Sequence, residues 1–169
     1  KKRVVNPKKF NLFLERLKTK SNIIIDNKTC SIFYENIIKK KFKIIGNEDP
    51  IYFLKSIKNS NEINNMISSH VIDGVALTKF IYWIKVLNKK KISEIDAQNK
   101  LEQFRKKNKN YLFPSFNTIA GAGKNGAIIH YRARKENTKT INKKDIFLCD
   151  SGGQYKYGTT DVTRTFCFS

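Results

Sequence analysis

Cysteine is scarce and scattered: Cys30, Cys149 and Cys167 make an odd set with no C-x-x-C spacing. That pattern gives neither a disulfide framework nor a zinc ribbon, and a reducing compartment fits it best. No run of 18 or more apolar residues occurs, and the opening Lys1-Lys-Arg-Val-Val-Asn-Pro7 lacks an apolar core followed by a small-residue cleavage site. No membrane partner is therefore expected. Also missing are G-x-S-x-G, H-E-x-x-H and a Cys-His pair in a convincing context, so the commoner serine, zincin and thiol machineries find no footing. Arginine is rare as well. Only six of the 34 basic residues are Arg (Arg3, Arg16, Arg105, Arg132, Arg134, Arg164), although the formal net charge is +20. Arg is the residue that forks onto bases and phosphates, and the lysines are spread along the whole chain, as in Asn88-Lys-Lys-Lys-Ile92. They read as solvated faces, and no nucleic-acid partner is expected.

What is present is enough apolar material, 40% of 169 residues, for one ordinary domain or parts of two. Phe10, Phe13, Leu14 and Leu17 keep helical spacing and Ile23-Ile-Ile25 reads as a short buried strand. A second helix at 32–38 and a strand at 42–45 repeat the unit, which predicts an α/β layer. Asp49-Pro50 places an N-cap before proline at the first position of a short helix. Asn59 with Glu62 has capping-box spacing, and apolar residues then recur helically at Ile63, Met66, Ile67, Val71, Leu77, Ile81 and Ile84. Ser93 with Asp96 repeats the box for a helix through Ile95, Leu101 and Phe104. Short β segments follow at 117–120, 127–131, 146–150 and 160–168. Helices followed by a strand meander predict an α+β domain with a mostly antiparallel sheet.

Most chemistry lies in Asp150-Ser-Gly-Gly-Gln-Tyr155-Lys-Tyr-Gly158-Thr-Thr-Asp161-Val-Thr-Arg-Thr-Phe166. Strand alternation puts Asp161, Thr163 and Thr165 on one face, and glycines let the chain turn between the two aspartates. Two carboxylates converging without a cation would raise one pKa sharply, whereas a divalent ion neutralises both. Such sites suit Mg²⁺, Ca²⁺ or Mn²⁺, and paired ions about 3.5–4 Å apart are a common hydrolytic arrangement. From spacing alone, a turn aspartate and a surface aspartate paired with lysine explain the run equally well. His130, at the end of the predicted strand 127–131, could donate to a substrate carbonyl or shuttle a proton, though its position alone favours a structural role. His70, on the long helix, reads as structural. Gly121-Ala-Gly123-Lys-Asn-Gly126 matches G-x-G-x-x-G, but it opens onto an expected strand rather than a helix, so a glycine-rich turn near the site is expected instead of a dinucleotide loop.

At these residues the chain resembles the aminopeptidase P family, the Xaa-Pro aminopeptidases with the creatinase-like pita-bread fold. The blocks from Lys58 to Glu62, His70 to Leu77, Ser93 to Ala97 with Glu102 to Arg105, Phe116 to Ile119 and Gly126 to Tyr131 follow in family order. Asp150 to Thr165 is particularly similar to the cytosolic three-domain type. The resemblance implies that residues 1–58 end a second, non-catalytic α/β domain and that residues 59–169 are the N-terminal half of the pita-bread catalytic domain. It implies that Asp161 bridges two Mn²⁺ ions, with Co²⁺ or Zn²⁺ as substitutes, that Asp150 binds one of them, and that His130 contacts substrate and assists the reaction. The implied activity is a cytoplasmic, homodimeric metalloaminopeptidase that removes the first residue from peptides with proline second, using a metal-bridging hydroxide. The remaining ligands, a histidine and two glutamates, would lie downstream of Ser169. The chain is thus expected to be a piece of a longer polypeptide and inactive alone. The alternative is a non-catalytic pita-bread pseudopeptidase that binds peptides or proteins as a scaffold.

Overall fold

Two isoleucine-rich strands pair in parallel in the first part of the molecule, and such pairing needs a crossover between them. The structure is a computed structural model describing residues 4–18, 20–87 and 91–168, and it divides into two units, residues 1–58 and 59–169. Lys1 and most of the lysine run at 88–91 lie outside the described residues. In the first unit, helix α1 (Phe10–Glu15) precedes β1 (Asn22–Ile25), α2 (Ile32–Lys39) and β2 (Lys43–Gly46). Strands β1 and β2 pair in parallel with Asn22 opposite Lys43. Ser31 starts α2 by accepting from the Tyr34 amide, and Asp49 starts α3 (Pro50–Ser56) by accepting from the Ile51 amide. Leu14, Ile25, Ile38 and Phe42 form the unit's core.

The second unit is built on two long helices whose starts are set by reciprocal capping. Asn59 Oδ1 accepts from the Glu62 amide at 3.0 Å and Glu62 returns the bond to the Asn59 amide at 2.9 Å, which opens α4 (Ser60–Tyr82). The helix continues as a π-helical turn over Trp83–Leu87. Ser93 and Asp96 form the same box at the start of α5 (Glu94–Lys106). Strands β3 (Tyr111–Pro114), β4 (Ile119–Ala122), β5 (Phe147–Ser151), β6 (Gly153–Tyr155), β7 (Gly158–Thr159) and β8 (Val162–Phe166) follow. They make two antiparallel sheets, ordered β4-β5-β8 and β3-β6-β7. One face of β4-β5-β8 packs on the helices through Leu77, Phe80, Ala97, Leu101, Ala120, Phe147, Cys149 and Phe166. The N-terminal half of α4 leaves Ile63, Ile67 and Val71 exposed, so the apolar periodicity read there extends beyond the stretch that is buried.

The segment 127–131 is a correction to the sequence reading, because it is not a strand. After β4 the chain turns through a 3₁₀ helix over Gly123–Ala127 and continues irregularly, with His130 at φ +55°. The glycines permit that turn. A Cβ at Gly121 would lie 2.8 Å from the Gly126 backbone, and Gly123 sits at φ +55° in the left-handed region that favours glycine. The G-x-G-x-x-G match therefore serves a close fold-back of backbone on backbone. Strands β3, β6 and β7 carried too little alternation to be anticipated.

Candidate metal centre

Burial along β5 alternates, with Phe147, Cys149 and Ser151 in the core and Leu148 and Asp150 on the opposite face. Along the approach to β8, Thr160 and Phe166 are buried and Val162 packs against the core, while Asp161, Thr163 and Thr165 are exposed. In the β5–β8 ladder Asp150 lies directly opposite Thr163, and the Thr163 hydroxyl donates to Asp150 Oδ1 at 2.7 Å. Asp161 lies two residues before Thr163, one before β8 begins, and is exposed like Thr163; continuing the alternation of β8 sets it diagonal to Asp150. Diagonal positions across an antiparallel pair are about 7–8 Å apart, within the reach of two carboxylates turned toward one point. Both aspartates therefore share one sheet face.

The link between them is a hairpin of its own. Strands β6 and β7 pair through a two-residue turn at Lys156 and Tyr157, and β6 also pairs with β3. At the hairpin base the Gly153 amide donates to Thr160 Oγ1, and the Thr160 amide to the Gly153 carbonyl, each at 2.9 Å. Ser115 donates its amide to the Gly152 carbonyl at 3.1 Å and its hydroxyl to the Thr160 carbonyl at 2.8 Å. Gly152 is obligatory here, since a Cβ would sit 1.9 Å from the Thr160 carbonyl oxygen.

Behind the aspartates lies a buried ion pair that composition and motif gave no reason to expect. Arg105 on α5 donates from Nε to Asp73 Oδ1 at 2.6 Å and from Nη2 to Oδ2 at 3.0 Å, and both residues are 1% exposed. Arg105 Nη2 also reaches Ser151 Oγ at 3.1 Å, next to Asp150, while the Tyr155 hydroxyl donates to Asp73 Oδ1 at 2.7 Å. Burial by itself would push the Asp73 carboxyl up. Hydrogen bonds from Arg105, Tyr155 and Thr160, with the guanidinium charge, outweigh it and hold Asp73 below its ordinary value. Burial likewise raises Tyr155, which stays a protonated donor. A signal existed in the sequence: Asp73 shares the buried helical stripe of Ser69, Ala76 and Phe80, and Arg105 shares that of Ala97 and Leu101.

His130 is exposed, on the loop after the 3₁₀ turn, and among the described residues no group of three or more His, Cys, Asp and Glu side chains is placed to hold a metal ion. His70 is exposed, with Nδ1 2.9 Å from the Met66 carbonyl one turn back. The donor set fits a hard or borderline divalent ion, because it consists of carboxylate and hydroxyl oxygens. Cys149 is no candidate ligand: it points into the core, and burial pushes its thiol up to about 12.

Comparison with known proteins supplies the context. Residues 64–169 match the profile of metallopeptidase family M24. The chain is 45% identical over 140 residues to Xaa-Pro aminopeptidase ApepP of Drosophila melanogaster, covering 82% of this chain and 23% of that protein. It is 47% identical over 122 residues to a probable Xaa-Pro aminopeptidase P of Paracoccidioides lutzii, covering 70% of this chain and 20% of the relative. Among solved structures it is similar to an X-prolyl aminopeptidase from Caenorhabditis elegans, described as a cytosolic enzyme with a di-nuclear active site, at TM-score 0.70 and 31% identity. That likeness covers 79% of this chain and 22% of the other. The prolidase of Pyrococcus furiosus matches at TM-score 0.74 and 27% identity, covering 96% of this chain and 49% of that one. This chain thus spans about a fifth of the length of the curated relatives it matches. With the family profile covering most of the chain and the fold shared with Xaa-Pro peptidases of the pita-bread type, the chain belongs to metallopeptidase family M24.

Proposed function

We propose that the protein carrying this chain is a metal-dependent Xaa-Pro aminopeptidase, releasing the first residue from peptides with proline in second position. The observation that carries the reading is the β5–β8 register, with Asp150 opposite Thr163, together with the exposed Asp161 two residues before Thr163 at the entry to β8. Support also comes from 45% identity to a Drosophila Xaa-Pro aminopeptidase and from the di-nuclear active site described for the C. elegans relative. In this reading Asp150 and Asp161 would hold divalent metal, Mn²⁺ with Co²⁺ or Zn²⁺ as substitutes, Asp161 serving as a ligand shared between two ions and Asp150 as a ligand to one. When bound, such ions supply an activated water and a Lewis acid for the scissile carbonyl.

The chain's own residues do the rest. Thr163 takes up one lone pair of Asp150 and fixes its rotamer. Arg105, through Ser151, and Thr160, through Gly153, hold the two strand ends from which the aspartates project. His130 donates to the substrate or passes a proton to the leaving group. The bond before proline is a tertiary amide without an N–H, so a site that cleaves it must recognise the ring rather than a backbone donor. Residues 1–58 end a non-catalytic domain and residues 59–169 begin the catalytic one. The cytosolic character described for the C. elegans relative supports a cytoplasmic location, and a homodimer completes the proposal.

The test uses the polypeptide at its natural length. Loaded with Mn²⁺, it should release the first residue of an Xaa-Pro-Xaa tripeptide, and Asp161→Asn should bring the rate to background. Cleavage that needs no divalent ion and survives Asp161→Asn would sink the proposal.

A further inference from the structure

The loop that carries His130 has almost no apolar anchorage of its own. Ile128 is 53% exposed and Ile129 86%, and Ala127 is exposed as well. Two of its residues are buried, Asn125 and Tyr131, and both side chains end on the same partner, Glu94. Glu94 is fully buried at the first turn of α5. Its Oε1 accepts from the Ala122 amide at 2.7 Å and from Asn125 Nδ2 at 3.0 Å. Its Oε2 accepts from the Tyr131 hydroxyl at 2.8 Å and from the Lys139 amide at 2.9 Å. The Glu94 amide in turn donates to the Lys139 carbonyl at 3.0 Å.

Four donors on one carboxylate use its lone-pair sites completely, and a Gln in its place would turn a donor of its own against them. All four come from residues 122–139, so this carboxylate gathers the two ends and the middle of one loop onto a rigid helix. Among the described residues Glu94 has no salt-bridge partner. The four neutral donors are what offsets the desolvation of this buried carboxylate, and they tie it to the loop rather than to its own helix. Burial raises the Tyr131 hydroxyl to about 12, with the Glu94 bond adding to it, so the phenol is a donor throughout the neutral range.

His130 immediately precedes Tyr131 and sits at φ +55°, a left-handed conformation uncommon for residues with a Cβ. We propose that Glu94 is a positioning residue: by holding Tyr131, Asn125 and the backbone at Ala122 and Lys139, it fixes the conformation in which His130 is presented to substrate. This rests on the reading of His130 as a substrate-contacting group.

A double-mutant cycle with an exchange measurement tests it, in the natural-length protein loaded with Mn²⁺ and acting on an Ala-Pro-Ala tripeptide. Tyr131→Phe keeps the ring and deletes the hydroxyl's bond to Glu94, together with the one it accepts from Asn125 Nδ2 and its contacts to Asn137. It should lower kcat/KM by about ten-fold or more with bound manganese unchanged, and speed amide exchange across residues 123–139 while sparing β5 and β8. In a His130→Ala background the same substitution should lower kcat/KM by less than about two-fold, because groups that act as a unit are not additive. Glu94→Gln should give the same pattern more severely. Equal losses in both backgrounds, or exchange over 123–139 unchanged by Tyr131→Phe, overturns the proposal. A fully active His130→Ala protein instead defeats the substrate role of His130, and the exchange of residues 123–139 then decides the clamp by itself.

Discussion

Replacing Arg105 by Met should expose how far the aspartate strands depend on the ion pair behind them. The substitution keeps an unbranched stem and removes the charge, leaving Asp73 in the core without the Nε and Nη2 donors that now stand at 2.6 and 3.0 Å. Ser151 Oγ loses its donor as well. Breaking one side of a buried pair costs about 3–5 kcal/mol, because an uncompensated charge remains, and the Tyr155 bond to Asp73 Oδ1 offsets only part of this. At roughly 1.4 kcal/mol per factor of ten, amide exchange in β5 and β8 should speed by about a hundred- to several-thousand-fold at pH 7. Hydrogen-exchange mass spectrometry of the peptides over 147–151 and 162–166 is the assay. Acid provides an internal check. Asp73 in the variant has lost its cation, so burial governs and its carboxyl rises above the ordinary 3.8. Protonation then relieves the variant while it harms the parent, and the gap between them should narrow toward pH 4. Asp73→Asn combined with Arg105→Met keeps an acceptor for Tyr155 and should recover most of the loss. A variant that exchanges like the parent at pH 7, or a gap that does not narrow on acidification, refutes the reasoning.

Gly152→Ala should destabilise the hairpin base by about 1–3 kcal/mol or more, since its Cβ would meet the Thr160 carbonyl oxygen at 1.9 Å and Ser115 Oγ at 2.2 Å. Thermal melting should record the loss, and manganese affinity measured by calorimetry should fall with it; an unchanged melt would mean that the two chain segments part easily. In the parent protein, Asp73 lies below its ordinary 3.8 in the folded state, so the unfolded chain binds more protons as pH falls. Its contribution to stability is complete above the ordinary value and is lost as pH drops through the depressed one. Denaturation midpoints should therefore hold between about pH 7 and pH 5 as far as this group is concerned and fall below about pH 4, and a midpoint that rises there would contradict the assignment.

Local structure was legible wherever a residue's partner lies close in the chain. The two capping boxes join residues three apart, and the helices starting at Ser60 and Glu94 begin where that spacing predicts. The alternation of Phe147 to Ser151 gave the faces of that strand, because period-two burial is written into it, whereas in Val162 to Phe166 only the two ends turn inward and Arg164 is exposed with its threonine neighbours. The expected strand at 127–131 failed for the opposite reason: its run of apolar residues is overruled by Asn125 and Tyr131, which turn toward a glutamate earlier in the chain. Glu94 itself sat in a recognised block without revealing a role.

Residues close together in the chain are enough to specify the two capped helices, the faces of β5 and the aspartate-bearing run that marks the family. The buried network of Asp73, Arg105 and Tyr155 behind those aspartates, and the gathering of the His130 loop on Glu94, arise from packing between distant segments. Those contacts join residues 32, 82 and 37 positions apart, and neither helical nor strand periodicity carries information over such distances. What fixes them is the cost of burying a carboxylate without donors, and that cost arises only once helices and sheet have closed around it.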